Sequence, residues 1–378
     1  MKRFLKSLVF LGLFLGVAIV WLLNFHKING VDEASNHCRV TQFQIEGLGG
    51  EVIFGSEDME IDAENGLAFI SAYNRSLVAA EVKAGGEVSE GGMYLWDLKQ
   101  YPPNSEQIIV KDISTNVREQ IEFRPHGTSL LKGDGWWRFF VVNHAFPLVG
   151  GKPEHLGQVL VLDYLNGELA VEEVISATIM CSPNDVASLG PKQFLVSNDH
   201  GACDAEGKFT EEMLGKKLSY LLYWDGQAMR QVAGGFGYAN GVSVSPNNPN
   251  EIYLAATREE KIHVFDAEKL LSGGMHQPSD SFTVPFSPDN FTWAPDGRLI
   301  VAGFPNLYRF AVHRTGLFGD VATPALAMAI AQPKTNPQRE VLFNNETGLI
   351  RGATVASIYE NYTIATSVFD ENILICEN

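Results

Sequence analysis

Basic residues are scarce: 28 Lys plus Arg stand against 45 Asp plus Glu, a formal net charge of -17. That balance opposes the phosphate neutralisation on which nucleic-acid affinity depends, so no nucleic-acid partner is expected. No C-x-x-C pair occurs, which removes zinc ribbons and thioredoxin-type redox sites. G-x-S-x-G, G-x-x-x-x-G-K, a complete G-x-G-x-x-G and H-E-x-x-H are absent too. Serine α/β-hydrolases, P-loop enzymes, Rossmann cofactor binders and zincins therefore lack sequence support. Sustained helical periodicity is missing, as is any linker-like shift in composition that would divide the body.

What is present suits a large folded core, since 45% of the residues are hydrophobic and 19% charged. Gly at 36 and Pro at 17, spread without a collagen period, favour an all-β chain with many tight turns over a helix bundle. The first thirty residues stand apart. They hold Lys2, Arg3, Lys6 and Lys27 and no acid, and every residue from Leu8 to Leu23 is apolar or Gly. That run of about 16 lies near the lower limit for a membrane span and just past a signal-peptide core. Ile19 to Asn24 offers no Ala-x-Ala cleavage pattern. Residues 1–30 are therefore expected to form a hydrophobic helix serving as a retained signal anchor. The body, 31–378, is expected outside the cytoplasm, in a periplasmic, lumenal or extracellular space, because basic residues precede the apolar run.

The four cysteines, Cys38, Cys181, Cys203 and Cys376, allow three connectivities in such a compartment. Cys38 opens the body and Cys376 nearly ends it, so a bond between them would fasten the first strand to the last. Cys181 and Cys203 are left open, paired or free.

Short runs rich in β-branched and aromatic residues, bounded by Gly, Pro, Asn or Asp, predict strands. They are 66–72, 91–98, 138–145, 157–165, 192–198, 217–225, 251–257, 261–266, 298–303, 307–312 and 354–359. Helix is expected only at 210–218 and 325–331. Four of the strand runs close alike, on Asp97, Asp163, Asp225 and Asp266, which reads as a repeated sheet unit. With about 345 body residues and four strands per unit, about six blades of a β-propeller fit. A β-sandwich or two-domain β protein is the competing fold.

Chemistry is suggested by pairs of carboxylate and amide residues in separated units: Glu57-Asp58, Asn184-Asp185 and Asp289-Asn290, with Asn240 standing beside Gly241. A propeller brings equivalent parts of each blade to one central channel. Oxygen ligands of this kind suit Ca²⁺ before Zn²⁺ or Cu²⁺. A single Asn-Asp pair is more often an Asx-turn, and it is the repetition at blade-like intervals that points to a metal.

Several segments resemble the serum paraoxonase/arylesterase family. They are Gly55-Ser56-Glu57-Asp58-Met59-Glu60-Ile61, Asn65 to Ser71, Pro125-His126-Gly127, Val141 to His144, Asn184-Asp185-Val186, Ser197 to His200, Ala239-Asn240-Gly241, Lys261 to Val264, Asp289-Asn290 and Gly352 to Tyr359, with a terminal Cys376. The match runs in order over nearly the whole chain. The resemblance implies a six-bladed β-propeller with two calcium ions in a central channel and a disulfide joining the chain ends. It assigns Glu57, Asn184, Asn240, Asp289 and Asn290 to a catalytic calcium. Asp58, Asp185 and the backbone carbonyl of Thr128 go to a structural calcium, and His126 and His144 form a histidine dyad. The implied activity is calcium-assisted hydrolysis of lactones and aryl esters, with water activated by the dyad or by a metal-ligand carboxylate.

Two departures bear on substrate preference. The family's Cys-His-Pro-Asn stretch reads Gly303-Phe304-Pro305-Asn306, and Asp370 stands where the family has a His. The competing functions are a membrane-tethered, calcium-stabilised binding or scaffold propeller, and a sugar-lactonase or strictosidine-synthase-like propeller. Sequons fall at Asn74, Asn290, Asn345 and Asn361; Asn290 is read as a ligand rather than a glycan site.

Overall fold

In the computed structural model, residues 37–133, 135–315, 321–334, 336–346 and 348–378 are described, and the anchor expected at 1–30 lies outside them. Among the described residues no helix is long and apolar enough to cross a membrane.

Turn chemistry sets the repeat. Asp97 accepts the backbone N–H groups of Lys99 and Gln100. Asp225 does the same for Gln227 and Ala228, and Asp266 for Lys269. Each aspartate thus forms an Asx-type turn where a strand ends, and each of those strands is the third of its blade. Blade one comprises Ser56–Asp62, Leu67–Ala72, Gly92–Asp97 and Ile108–Asp112. Blade two comprises Pro125–Gly133, Trp136–Ala145, Leu156–Leu165 and Glu168–Ile175. Blade three runs Pro183–Gly190, Gln193–Asn198, Ser219–Trp224 and Met229–Phe236, and blade four Ala239–Val244, Glu251–Ala256, Lys261–Asp266 and Asp280–Thr283. Blade five runs Ser287–Trp293, Leu299–Phe304, Ala325–Ala331 and Gln338–Asn345. Blade six takes Val355–Tyr359, Tyr362–Thr366 and Asn372–Glu377 from the end of the chain and Cys38–Ile45 from its beginning.

The inner strands of successive blades pack beside one another, and the last packs beside the first, so the six sheets close into a ring. This is the six-bladed β-propeller the repeat predicts. Cys38–Ile45 closes it by pairing antiparallel with Asn372–Glu377, with Cys38 opposite Cys376, and parallel with Ile108–Asp112 of blade one. The expected Cys38–Cys376 disulfide is formed, and Cys181, left open by the sequence, is bonded to Cys203.

Apolar side chains are buried between blades. Phe69, Phe139 and Leu160 lie between blades one and two, and Leu195, Leu221 and Leu254 between three and four. Since both faces of every sheet are covered, the middle strands read as nearly continuous apolar runs.

Two expectations fail for that reason and for capping. Ala325–Ala331 is a strand, not a helix. Its alanines at 325, 327 and 329 face blade six, while Leu326, Met328 and Ile330 face blade four. The alternation of small and large is a strand pattern written with helix-prone residues. Leu307–Thr315 is a helix, not the strand expected at 307–312. Asn306 starts it, its side-chain oxygen accepting the Arg309 N–H at 3.0 Å. The helix expected at 210–218 runs Ala205–Met213, capped by Asp204.

Strands alternate in direction, so the connection from second to third strand returns to the face where the inner strand begins. The helices Arg75–Ala84, Ala205–Met213 and Leu307–Thr315 therefore all belong to that face.

Candidate active site

Ladder register is interrupted near the start of five of the six inner strands, between Ser56 and Asp58, Pro125 and Thr128, Pro183 and Val186, Ala239 and Val242, and Pro288 and Phe291. The residues left out of register are Glu57, His126-Gly127, Asn184-Asp185, Asn240-Gly241 and Asp289-Asn290. Bulges of this kind release side chains from the sheet and re-aim them. Val355–Tyr359, the sixth inner strand, pairs without interruption and contributes no ligand candidate. The close packing also explains two glycines. A Cβ on Gly127 would lie 2.7 Å from the Asn184 carbonyl oxygen, and one on Gly241 2.5 Å from that of Asp289.

All eight proposed ligands are buried: Glu57, Asp58, Thr128, Asn184, Asp185, Asn240, Asp289 and Asn290. Within the first set Asn290 and Glu57 are in direct contact. Asn290 Nδ2 donates to Glu57 Oε1 at 3.1 Å, and His126 Nδ1 lies 3.2 Å from the same oxygen, though without hydrogen-bond alignment. Asn240 Nδ2 donates to Thr257 Oγ1 at 3.1 Å and Asn184 Nδ2 to Asp199 at 3.5 Å. Each amide is thus held by its N–H side, and the buried Oδ1 atoms of Asn184, Asn240 and Asn290 have no partner among the described residues. Such acceptors are costly unless something satisfies them. Burial, followed by the nearby Glu57 charge, pushes the Asp289 carboxyl well above its usual range. Three orphaned carbonyl oxygens and two carboxylates form an oxygen-only set, which fits a hard cation such as Ca²⁺. Among the described residues no group of three or more His, Cys, Asp or Glu could hold a metal, so the fit depends on these amides.

The second set is buried too. Asp58 accepts the Thr128 N–H at 2.7 Å and its hydroxyl at 2.9 Å, and Asp185 accepts the Val242 N–H at 2.7 Å. Burial lifts Asp58 to about 6 despite those bonds, with Glu57 adding to the rise. Asp185 is raised well above its ordinary range by burial and by Asp58. Two buried carboxylates, both raised and one of them raised by the other, call for a counter-ion.

His126 and His144 lie with ring centroids 4.9 Å apart. His144 Nε2 is 3.0 Å from the Pro183 carbonyl oxygen and Nδ1 3.0 Å from the Tyr73 hydroxyl. A carbonyl only accepts, so Nε2 carries the proton and Nδ1 accepts from Tyr73. Burial, then His155 and His126, holds His144 well below the usual imidazole range. His126 is lowered as well, by burial and Arg75 against the opposing pull of Glu57. Burial alone would lift Glu57, but His126 and Arg75 hold its carboxyl down at about 2. His126 Nε2 has no hydrogen-bond partner among the described residues.

Sequence reasoning missed Tyr73, Arg75 and His155, whose ring centroid lies 4.9 Å from that of His144. Tyr73 and Arg75 flank Asn74, and no spacing marks them. Asp199-His200, quoted only as part of a resemblance, forms a second pair: His200 sits 2.6 Å from Asp199 and 3.1 Å from Glu212, which raise it to about 9 against the effect of burial. The two departures are also placed. Phe304 stacks on Phe310 at 3.9 Å, and Asp370 accepts the N–H groups of Arg351 and Asn372. Among the sequons, Asn290 and Asn345 are buried and Asn361 is exposed.

A family model described as Arylesterase matches residues 48–377. Serum paraoxonase/arylesterase 1 of Homo sapiens is 29% identical over 334 residues, covering 85% of this chain and 86% of the relative. Serum paraoxonase/arylesterase 2 of Homo sapiens is 25% identical over 327 residues with the same coverage of 85% and 86%. Among solved structures, a calcium-binding protein, regucalcin, from Agrobacterium tumefaciens aligns at 9% identity and a TM-score of 0.48, over 89% of this chain and 95% of that one.

Proposed function

The chain belongs to the arylesterase family and is an esterase/lactonase hydrolase, and from that premise we propose that it hydrolyses lactones and aryl esters at a calcium ion on the propeller axis. Glu57, Asn184, Asn240, Asp289 and Asn290 would hold this ion, and Asp58, Asp185 and Thr128 a second, structural one. The single observation carrying the reading is the trio of buried, unpartnered Oδ1 atoms on Asn184, Asn240 and Asn290. When bound, calcium would supply a Lewis acid that polarises the ester carbonyl.

The protein's own groups supply the rest. Glu57 faces His126 Nδ1 and favours the tautomer protonated there, which leaves Nε2 as the acceptor of a proton from water. His144 is fixed as a neutral ring by Tyr73 and Pro183 and packs against His126, setting that ring's orientation. The bulged inner strands carry Glu57 and His126 and the second strand of blade two carries His144, so these groups are held in place and little reorganisation would accompany the reaction. The two disulfides suit an oxidising compartment, and the apolar segment behind Lys2, Arg3 and Lys6 would tether the body at a membrane.

The test is turnover of phenyl acetate and of a simple lactone with and without EGTA. Chelation is expected to abolish hydrolysis and to lower the melting temperature together. Activity that survives thorough calcium removal overturns the mechanism, and a calcium-stabilised scaffold would give no turnover in either condition.

A further inference from the structure

Arg75 is the only Lys or Arg that makes an ion pair with a proposed ligand, among the described residues. It opens the helix Arg75–Ala84, whose start is fixed by the Asn74 side chain accepting the Leu77 N–H at 3.0 Å. From there Nη2 reaches Glu57 Oε2 at 3.2 Å, and the guanidinium carbon lies 4.8 Å from the Tyr73 ring centroid. The Glu57 contact is its one hydrogen bond among the described residues, and Nε is buried without a partner. Its side chain is 20% exposed against 3% for Glu57, so the arginine sits on the outer side of the carboxylate, toward the mouth.

Charge balance makes this position informative. The carboxylates of Glu57 and Asp289 would neutralise one divalent ion, and the three asparagines add no charge. Arg75 is therefore surplus to the ion and its two carboxylate ligands, a cation inside a chain whose formal charge is -17. With Nη2 on Glu57 as its one hydrogen bond among the described residues, the guanidinium keeps donors of the planar fork that carboxylates fit. The Tyr73 face beneath it restricts the orientation.

We propose that Arg75 is a specificity-determining residue that receives an anionic group of the substrate, so that carboxylate-bearing esters or lactones are preferred over neutral ones. This rests on the hydrolase reading of the same site. The alternative role, a structural cation that merely offsets Glu57, predicts no discrimination by substrate charge.

The experiment uses the calcium-loaded full chain and a matched pair of esters, 4-acetoxybenzoate and its neutral methyl ester, with kcat and KM measured for each. The wild type should favour the anion by at least about tenfold in kcat/KM, expressed in KM, since hydrogen bonds to charged groups are worth that much in affinity. Arg75→Gln should collapse the anion-to-neutral ratio toward one, and Arg75→Lys should restore part of it. Binding is read separately, by titration calorimetry with benzoate against benzamide, where the wild type should prefer benzoate and Arg75→Gln should not. Turnover of both esters at similar efficiency, with equal binding of benzoate and benzamide, overturns the proposal and leaves the hydrolase reading standing. A ratio unchanged in Arg75→Gln also overturns it. Absence of turnover with either ester overturns the hydrolase reading, and with it the claim that the bound anion belongs to a substrate.

Discussion

Both ring nitrogens of His144 are engaged, one with the Pro183 carbonyl and one with the Tyr73 hydroxyl, while His126 Nε2 is free. The dyad is therefore unequal: in the proposed mechanism His126 would move the proton and His144 would hold it in position. The consequence is a specific pH profile. A base works in its neutral form, so activity is present above the pKa of His126 and is lost as pH falls through it. Burial and Arg75 lower that pKa, and a nearby divalent ion would lower it further. The acid limb of kcat/KM for phenyl acetate should accordingly lie below the ordinary imidazole value of about 6.5. His126→Gln should remove the limb and reduce turnover by roughly 10²–10⁴-fold, the usual contribution of a positioned base. A limb centred above the ordinary value, or retained in His126→Gln, would assign the base elsewhere.

The inner strand is the element on which fold and chemistry meet. In five of the six blades its first residues leave the ladder, which frees the side chains proposed as ligands, and its later residues pair normally. Asp58 and Asp185 also tie blades together, one binding Thr128 of blade two and the other Val242 of blade four. Removing either carboxylate would strand a buried backbone N–H at a cost of about 1–3 kcal/mol each, before any loss of an ion is counted. Asp58→Ala and Asp185→Ala should therefore lower the urea midpoint clearly. Asn240→Ala and Asp289→Ala should abolish turnover with smaller effects on unfolding. Equal losses of stability and activity across the four variants would show that the ligands have been divided wrongly. The same double duty limited what could be read beforehand. The apolar second and third strands of blades one to four, and the second of blade five, were legible from composition, while Tyr362–Thr366 and Asn372–Glu377 of blade six were not. Ser56–Asp62, Pro125–Gly133, Pro183–Gly190, Ala239–Val244 and Ser287–Trp293 were not, because ligand residues and bulges break their alternation just where a strand would be recognised. Their polar pairs were visible, and repetition of those pairs is what marked the site. Tyr73 and Arg75 had no repeat to mark them, since they enter from a connection outside the ladders. Ala325–Ala331 was misread because local helix propensity was weighed above its alternation of small and large residues.

At the scale of the whole ring, closure depends on a strand contributed from the opposite end of the chain. Cys38–Ile45 is the outer strand of blade six and also pairs with blade one, so it holds the last blade and the first together. The Cys38–Cys376 bond locks that strand across a separation of 338 residues. Chain entropy alone assigns such a crosslink roughly 6 kcal/mol, against roughly 3 for the 22-residue separation of Cys181 and Cys203. Cys38→Ser and Cys376→Ser should lower the melting temperature alike, by on the order of 10 °C. The double variant should be no worse than either, because each single change already removes the bond. Cys181→Ser should add its own smaller loss independently, since its crosslink anchors the segment leading into the helix Ala205–Met213 and not the ring. Differential scanning calorimetry of the four variants reads this pattern directly. Additive losses in the Cys38/Cys376 pair, or a non-reducing peptide map joining Cys38 to Cys181 or Cys203, would refute closure by this bond.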